Sequence, residues 1–312
     1  MPLQPTRRGI LAAATAAILA PDLTKAAPAT ASFEPFGYCL NTATIQGQNL
    51  PLMEEIELAA KAGYGAIEPW VRELEKHQQS GKALSDIKKS LSDHGLKMPS
   101  AIGFAEWIVD DESRRAAGLK RMAADMALVA EAGGTRIAAP PAGLQPAPAT
   151  VPDLPTVAER FAVVLELGKQ AGVTPQLELW GFARVLSRLG EVAYVGTECS
   201  SPDAKLLLDV FHLYKGGSNI DGIALLNGSA LGVLHVNDYP TKPRDQIKDS
   251  MRVYPGDGVA PLAELFRILK KIGYDGYLSV ELFNRDYWRQ SPQKVAQIAL
   301  DKTRATVQKA FS

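Results

Sequence analysis

Eight short apolar runs, separated by helical stretches that stop at glycine, constrain this chain more than any other feature. The runs lie near Phe36–Thr44, Ala66–Val71, Lys97–Ile102, Arg136–Ala139, Pro175–Leu179, Lys205–Val210, Gly232–Val236 and Gly276–Leu282. Between them, LPLMEEIELAAKAG, LSDIKKSLSDHG, RRAAGLKRMAADMALVAEAGG, TVAERFAVVLELGKQAG and PLAELFRILKKIGY place apolar residues at helical spacing. These stretches end at Gly63, Gly95, Gly133, Gly172 and Gly273. Glycine accepts the left-handed conformation that closes a helix, and a repeat of helix, glycine and apolar strand is the signature of βα units. Eight such units predict a single-domain α/β protein, a (β/α)8 TIM barrel over residues 32–312. A doubly wound open sheet would carry a glycine-rich phosphate loop after its first strand. Here that position reads Asn41-Thr42-Ala43-Thr44-Ile45-Gln46-Gly47-Gln48. The proline-rich stretch from Ala139 to Pro155 reads as a stiff loop above the fourth strand rather than a linker between domains.

The N-terminus stands apart from this pattern. Arg7 and Arg8 precede a moderately apolar run from Ile10 to Ala20, and Ala29-Thr30-Ala31 is a small-x-small site. Basic start, short apolar run and cleavage site in that order predict an export signal over residues 1–31. Thr6-Arg7-Arg8-Gly9-Ile10-Leu11 resembles a twin-arginine signal, which places the protein in the periplasm or outside the cell. The apolar run is too short to span a bilayer, so no membrane span is expected once the signal is removed. Hydrophobic residues form 46% of the 312-residue chain, enough for a large core. Lys plus Arg and Asp plus Glu both total 34, so the chain lacks the basic excess of a nucleic-acid binder. Cys39 and Cys199 define no disulfide framework, and Cys39 lies in a strand as a buried thiol.

The fifth to eighth runs share an ending. Glu178 closes TPQLELWG, Asp209 closes AKLLLDVFH, His235 lies in LGVLHVND and Glu281 in GYLSVELFN. A carboxylate or imidazole at the end of a buried strand is costly unless something pairs with it. In a barrel, strand ends converge on one face, which carries the active site. Four neighbouring endings therefore point to one shared divalent metal ion. Three carboxylates favour Mg2+ or Mn2+, and the imidazole keeps Co2+ and Zn2+ within range. Glu68 and Trp70, at the end of the second run, are further candidates for substrate contact, because aromatic faces suit the apolar side of a sugar ring. Trp107, Lys215 and Asn41 are weaker candidates.

The set Glu178 (LELW), Asp209 with His212 (LLLDVFHLYKGG), His235 (LHVNDYP), Arg252 with Pro255-Gly256-Asp257-Gly258 (DSMRVYPGDG) and Glu281 (LSVELFN) resembles the xylose isomerase-like family of sugar isomerases and epimerases. The segment from His235 to Gly258 looks most like the inosose isomerase branch, and the layout is similar to ketose 3-epimerases. The resemblance implies that Glu178, Asp209, His235 and Glu281 bind the metal. It also implies that His212 and Arg252 contact substrate oxygens. The implied chemistry is proton abstraction beside a carbonyl, with Glu178 and Glu281 flanking the substrate as acid and base. Export and the lack of a phosphate loop favour a free sugar, a cyclitol or a keto-glycoside. A keto-sugar lyase or dehydratase begins with the same step and is the nearest alternative, and an exported non-catalytic sugar-binding protein is a third. Related multi-zinc endonucleases need more histidines than the four in this chain. A homo-oligomer is compatible with the sequence.

Overall fold

The computed structural model describes residues 34–144 and 150–312. The export signal expected over residues 1–31 lies outside the described residues. Seven parallel strands are present among them: β1 (Gly37–Asn41), β2 (Ala66–Glu68), β3 (Arg136–Ala139), β4 (Thr174–Glu178), β5 (Lys205–Asp209), β6 (Leu231–Val236) and β7 (Tyr277–Val280). They lie in the order β2-β1-β7-β6-β5-β4-β3. Around them run α1 (Leu52–Ala62), α2 (Val71–Gln79), α3 (Leu84–Asp93), α4 (Glu112–Glu131), α5 (Leu154–Ala171), α6 (Leu189–Glu198), α7 (Val210–Gly216), α8 (Leu262–Lys271) and α9 (Pro292–Phe311). Consecutive parallel strands with a helical crossover between most of them make the expected TIM barrel.

The expected third strand, Lys97–Ile102, is the one that differs. It forms no regular strand, yet it fills the gap between β2 and β3. Ile67 N donates to Lys97 O (2.9 Å), Ala101 N to Arg136 O (3.1 Å) and Ala138 N to Ala101 O (2.9 Å). The segment thus closes the curled sheet with main-chain bonds. Pro99 interrupts it, because proline has no N–H to donate to a ladder. The first strand is also shorter than expected. It stops at Asn41, whose side chain accepts from Ala43 N and starts a 3-10 turn over Thr42–Gln48.

Helix ends follow the glycine pattern: Gly63 (φ 90°) and Gly172 (φ 67°) close α1 and α5 in the left-handed conformation. Asp111 and Asp153 cap the N-termini of α4 and α5 by accepting from Arg114 N and Thr156 N. Helix α8 buries Leu262, Leu265, Phe266 and Leu269, an i, i+3, i+4, i+7 stripe facing the barrel. Cys39 and Cys199 are both free and buried. No helix among the described residues is long and apolar enough to cross a membrane.

One polar side chain inside the barrel repairs an irregularity. The register between β5 and β6 shifts between Leu206 and Leu208. Val233 N instead donates to Gln176 Oε1 (2.7 Å), while Gln176 Nε2 donates to Ser100 Oγ in the closing segment (2.8 Å). Gly232 leaves room for this, since a Cβ there would lie 1.7 Å from Gln176 Oε1. Replacing Gln176 by Leu leaves a buried N–H without an acceptor. We expect Gln176→Leu to destabilise the fold by about 1–3 kcal/mol in urea titrations; an unchanged midpoint would remove Gln176 from this role.

Candidate metal centre and active site

The parallel register brings the strand ends to one level. Asp209 pairs with His235, and His235 with Ser279, across β5, β6 and β7. Asn41 pairs with Glu68 across β1 and β2. Glu178 ends β4, and Glu281 follows the last residue of β7. All of these polar residues are buried. One ligand atom each from Asp209, His235 and Glu281 lies within 4.8 Å of the others. Glu178 is not part of that compact group. It lines the adjoining cavity, and its Oε2 is buried without a hydrogen-bond partner.

Two cations, Arg252 and His235, balance the acids. The Arg252 guanidinium, fully buried, donates through one nitrogen to Asp209 Oδ2 (2.7 Å) and Glu281 Oε2 (2.9 Å). Its other terminal nitrogen donates to Asp249 Oδ1 (2.7 Å) and lies 3.2 Å from His212 Nε2. A guanidinium only donates, so His212 Nε2 is the acceptor and the ring is neutral with its proton on Nδ1. Burial and then the Arg252 charge hold the His212 pKa down, against the pull of Asp209. Burial would raise the Asp209 carboxyl, but the Arg252 and His235 charges and the hydrogen bond from His212 N (2.9 Å) outweigh it and bring it to about 2. Glu178 goes the other way: burial, with Glu281 and Asp209 nearby, pushes it up to about 8 despite His235.

Glu68 corrects an expectation. It was a candidate for substrate contact, but it lies fully buried beneath the site and is not on the cavity wall. Its Oε2 accepts from His235 Nε2 (3.0 Å), Asn41 Nδ2 (3.0 Å) and Ser279 Oγ (2.6 Å). This fixes the His235 ring, turning Nδ1 toward Glu281 (3.3 Å) and Asp209 (3.7 Å). Nδ1 makes no aligned hydrogen bond there. Burial alone would favour the neutral ring, yet the Glu281 and Glu68 carboxylates hold it protonated well above its usual range. The positive charge that this proton brings is the kind a divalent cation would replace. Asn41 ties the group together: its amide donates to Glu68 and to Glu281 (3.2 Å), and its oxygen accepts from Trp70 Nε1 (3.2 Å).

Above the acids is a cavity of about 290 Å³. Its polar side is Glu178, His212, Asp249, Arg252 and Glu281, and its apolar side includes Trp70, Phe104, Trp180, Phe182 and Phe283. The remaining weaker candidates fall elsewhere. Trp107 is fully buried, donates to Pro140 O (2.8 Å) and packs on Phe161. Lys215 Nζ donates to the carbonyls of Arg244 (2.6 Å) and Ile247 (3.1 Å) and so clamps a loop. The Pro255–Gly258 turn is held by buried Asp238, which accepts from Tyr239 N (2.8 Å), Gly256 N (3.0 Å) and Ala260 N (2.8 Å). Asp238 also forms an antiparallel bridge to Val253, beside Arg252. Sequence reasoning missed Asn237, whose amide donates to Asp209 (3.2 Å), and Asp249. Asn237 had a visible signal, lying two residues past His235 on the same apolar run.

The donor set fits a divalent ion: two compact carboxylates, an imidazole nitrogen without an aligned partner, and the unpartnered Glu178 Oε2 beside them. Two results are expected from calorimetric titration with Mn2+. Glu68→Gln should weaken binding about 10–100-fold, because it loosens the ring that supplies His235 Nδ1. Wild-type affinity should rise with pH through the region near 8 where Glu178 loses its proton, because binding must expel the protons on Glu178 and His235. A pH-independent affinity, or a wild-type value for Glu68→Gln, would remove these roles.

Known proteins converge on the same fold. A family model described as xylose isomerase-like TIM barrel matches residues 56–306. The inosose isomerase of Halalkalibacterium halodurans is 28% identical over 282 residues, covering 88% of this chain and 97% of that protein. The fructoselysine 3-epimerase of Escherichia coli O157:H7 is 27% identical over 269 residues, covering 83% and 94%. Among solved structures, the IolI protein with a bound zinc atom superposes with a TM-score of 0.81 at 23% identity, covering 89% of this chain and all of that one. The chain belongs to the xylose isomerase-like TIM barrel family.

Proposed function

We propose that this protein is a divalent-metal-dependent sugar isomerase or epimerase that moves a proton on a carbon beside the carbonyl of a free sugar, cyclitol or keto-glycoside. The observation that carries the reading is a pair of carboxylates, Glu178 and Glu281, on one cavity beside a compact group of metal-ligand types. The inosose isomerase and 3-epimerase relatives support the same reaction class. Asp209, His235 and Glu281 would hold the ion, with Glu178 as a fourth donor. When bound, the ion supplies stabilisation of the negative charge that develops on the substrate's oxygens.

The chain's own residues then divide the work. Glu178 and Glu281 reach the cavity from β4 and β7, which are separated in the sheet by β5 and β6. One carboxylate takes the proton from one face of the carbon, and the other returns a proton on the opposite face, which inverts that centre. Return to the neighbouring carbon gives isomerisation instead. Without the ion, burial pushes Glu178 up to about 8, whereas Glu281 is ion-paired with Arg252. Two carboxyls in such unlike surroundings suit paired acid and base roles. Neutral His212 carries its free proton on Nδ1, a donor for a substrate oxygen, and Trp70 offers a flat face on the opposite wall.

The test is proton NMR in D2O with the Mn2+-loaded protein and a panel of ketoses, inososes and keto-glycosides. Deuterium should enter at the carbon beside the carbonyl, and the products separate epimerase, isomerase and lyase. Glu281→Gln should fold normally and lose at least about 10²-fold in exchange rate. Full wild-type exchange by that variant would end the acid/base assignment, and no exchange by a metal-loaded wild type would favour a binding role. Export by the twin-arginine route belongs to the same proposal. Replacing Arg7 and Arg8 by Lys should retain the protein in the cytoplasm, and continued export on cell fractionation would refute the route.

A further inference from the structure

The aromatic side of the cavity is larger than a single sugar ring requires and is differently built from the polar side. Phe283, Trp70, Phe104, Trp180 and Phe182 form an unbroken chain of rings, with successive centroids 6.2, 4.9, 6.0 and 5.2 Å apart. They come from four places on the barrel rim: after β2, after the closing segment, after β4 and after β7. Most large apolar side chains of the protein are buried, yet Phe104 remains 44% exposed and Phe182 43% exposed at this mouth. The polar residues meet this chain at its two ends, where Phe182 packs on His212 (5.2 Å between centroids) and Phe283 lies beneath the Arg252 guanidinium (5.0 Å).

A free hexose or cyclitol carries hydroxyls around its whole edge. Seated over the acids, it would leave the exposed rings of Phe104 and Phe182 at the mouth without an apolar partner. A ligand with a polar reacting ring and an apolar, flat extension matches both kinds of lining. The rings sit at the centroid spacings at which aromatic faces and edges attract.

Resting on the reaction proposed above, we infer that the substrate is a keto-glycoside with an aromatic or similarly flat apolar aglycone. Its oxidised sugar ring lies over the acids, and its aglycone lies against Trp70, Phe104, Trp180 and Phe182. The two most exposed rings, Phe104 and Phe182, set the preference for the aglycone, and Phe104 packs only on Trp70 and Trp180.

The experiment compares phenyl and methyl 3-keto-glucosides on the Mn2+-loaded full chain. Calorimetry measures binding, and deuterium incorporation by NMR measures the reaction. The phenyl compound should bind at least about tenfold tighter than the methyl compound. Phe104→Ala and Phe182→Ala should each erase most of that difference, and Phe104→Ala should leave methyl-glucoside binding and exchange as in wild type. Both side chains are substantially exposed, so neither variant is expected to threaten the fold. Equal affinity for the two compounds, binding of neither, or variants that weaken both alike would overturn the inference. Exchange of both compounds with equal affinity would sink the aglycone assignment and leave the reaction standing. A phenyl preference that the variants erase, without exchange of either compound, would sink the reaction and leave the aglycone subsite standing.

Discussion

The structure turns on burying several carboxylates at the mouth of the barrel. Asp209, Glu281, Glu68 and Glu178 lie within the ends of four strands, where an unpaired charge is prohibitively costly. Arg252, ion-paired with Asp209, Glu281 and Asp249, and His235, set between Glu68 and Glu281, are the cations that make this arrangement tolerable. Arg252 further rests over the rings of Phe211 and Phe283, so its charge is flanked by aromatic faces rather than water. Glu178, on the cavity wall, keeps one oxygen unpartnered, and burial pushes its carboxyl up to about 8.

The barrel makes such concentration possible because its strands run parallel, so every C-terminal end reaches the same level. Closure does not demand eight regular strands. The irregular segment around Pro99 supplies enough main-chain bonds to join β2 to β3, and Gln176 links it to the opposite side of the ring. Departures from ideal geometry are thus absorbed by a side chain inside the barrel, two residues before Glu178 on β4.

The sequence made much of this legible. Polar endings on apolar runs identified Glu178, Asp209, His235 and Glu281, because burial and charge rarely coincide without a reason. Glycine positions located the ends of α1 and α5, since left-handed geometry is a local property. What remained hidden was partnership. Glu68 looked like another rim residue, and only the pairing of β1, β2 and β7 turns it toward His235. Asn41 likewise joins residues more than two hundred positions apart, a relation no spacing rule can express. The third strand was overread because its apolar content outweighed the single proline that breaks the ladder. Helix α2, with its mostly polar stripe, and the short α6 carried too weak a periodicity to be placed.

The loop between β6 and α8 holds Arg252, and it is fastened at both ends. Asp238 gathers the amides of Tyr239, Gly256 and Ala260, and its backbone pairs with Val253. A residue on such a loop is as fixed as one on a strand. The guanidinium therefore cannot act as a swinging gate without tearing a network of backbone bonds. Traffic into and out of the cavity is left to the place where Phe104 and Phe182 face solvent, a doorway built of side chains that turn on single bonds.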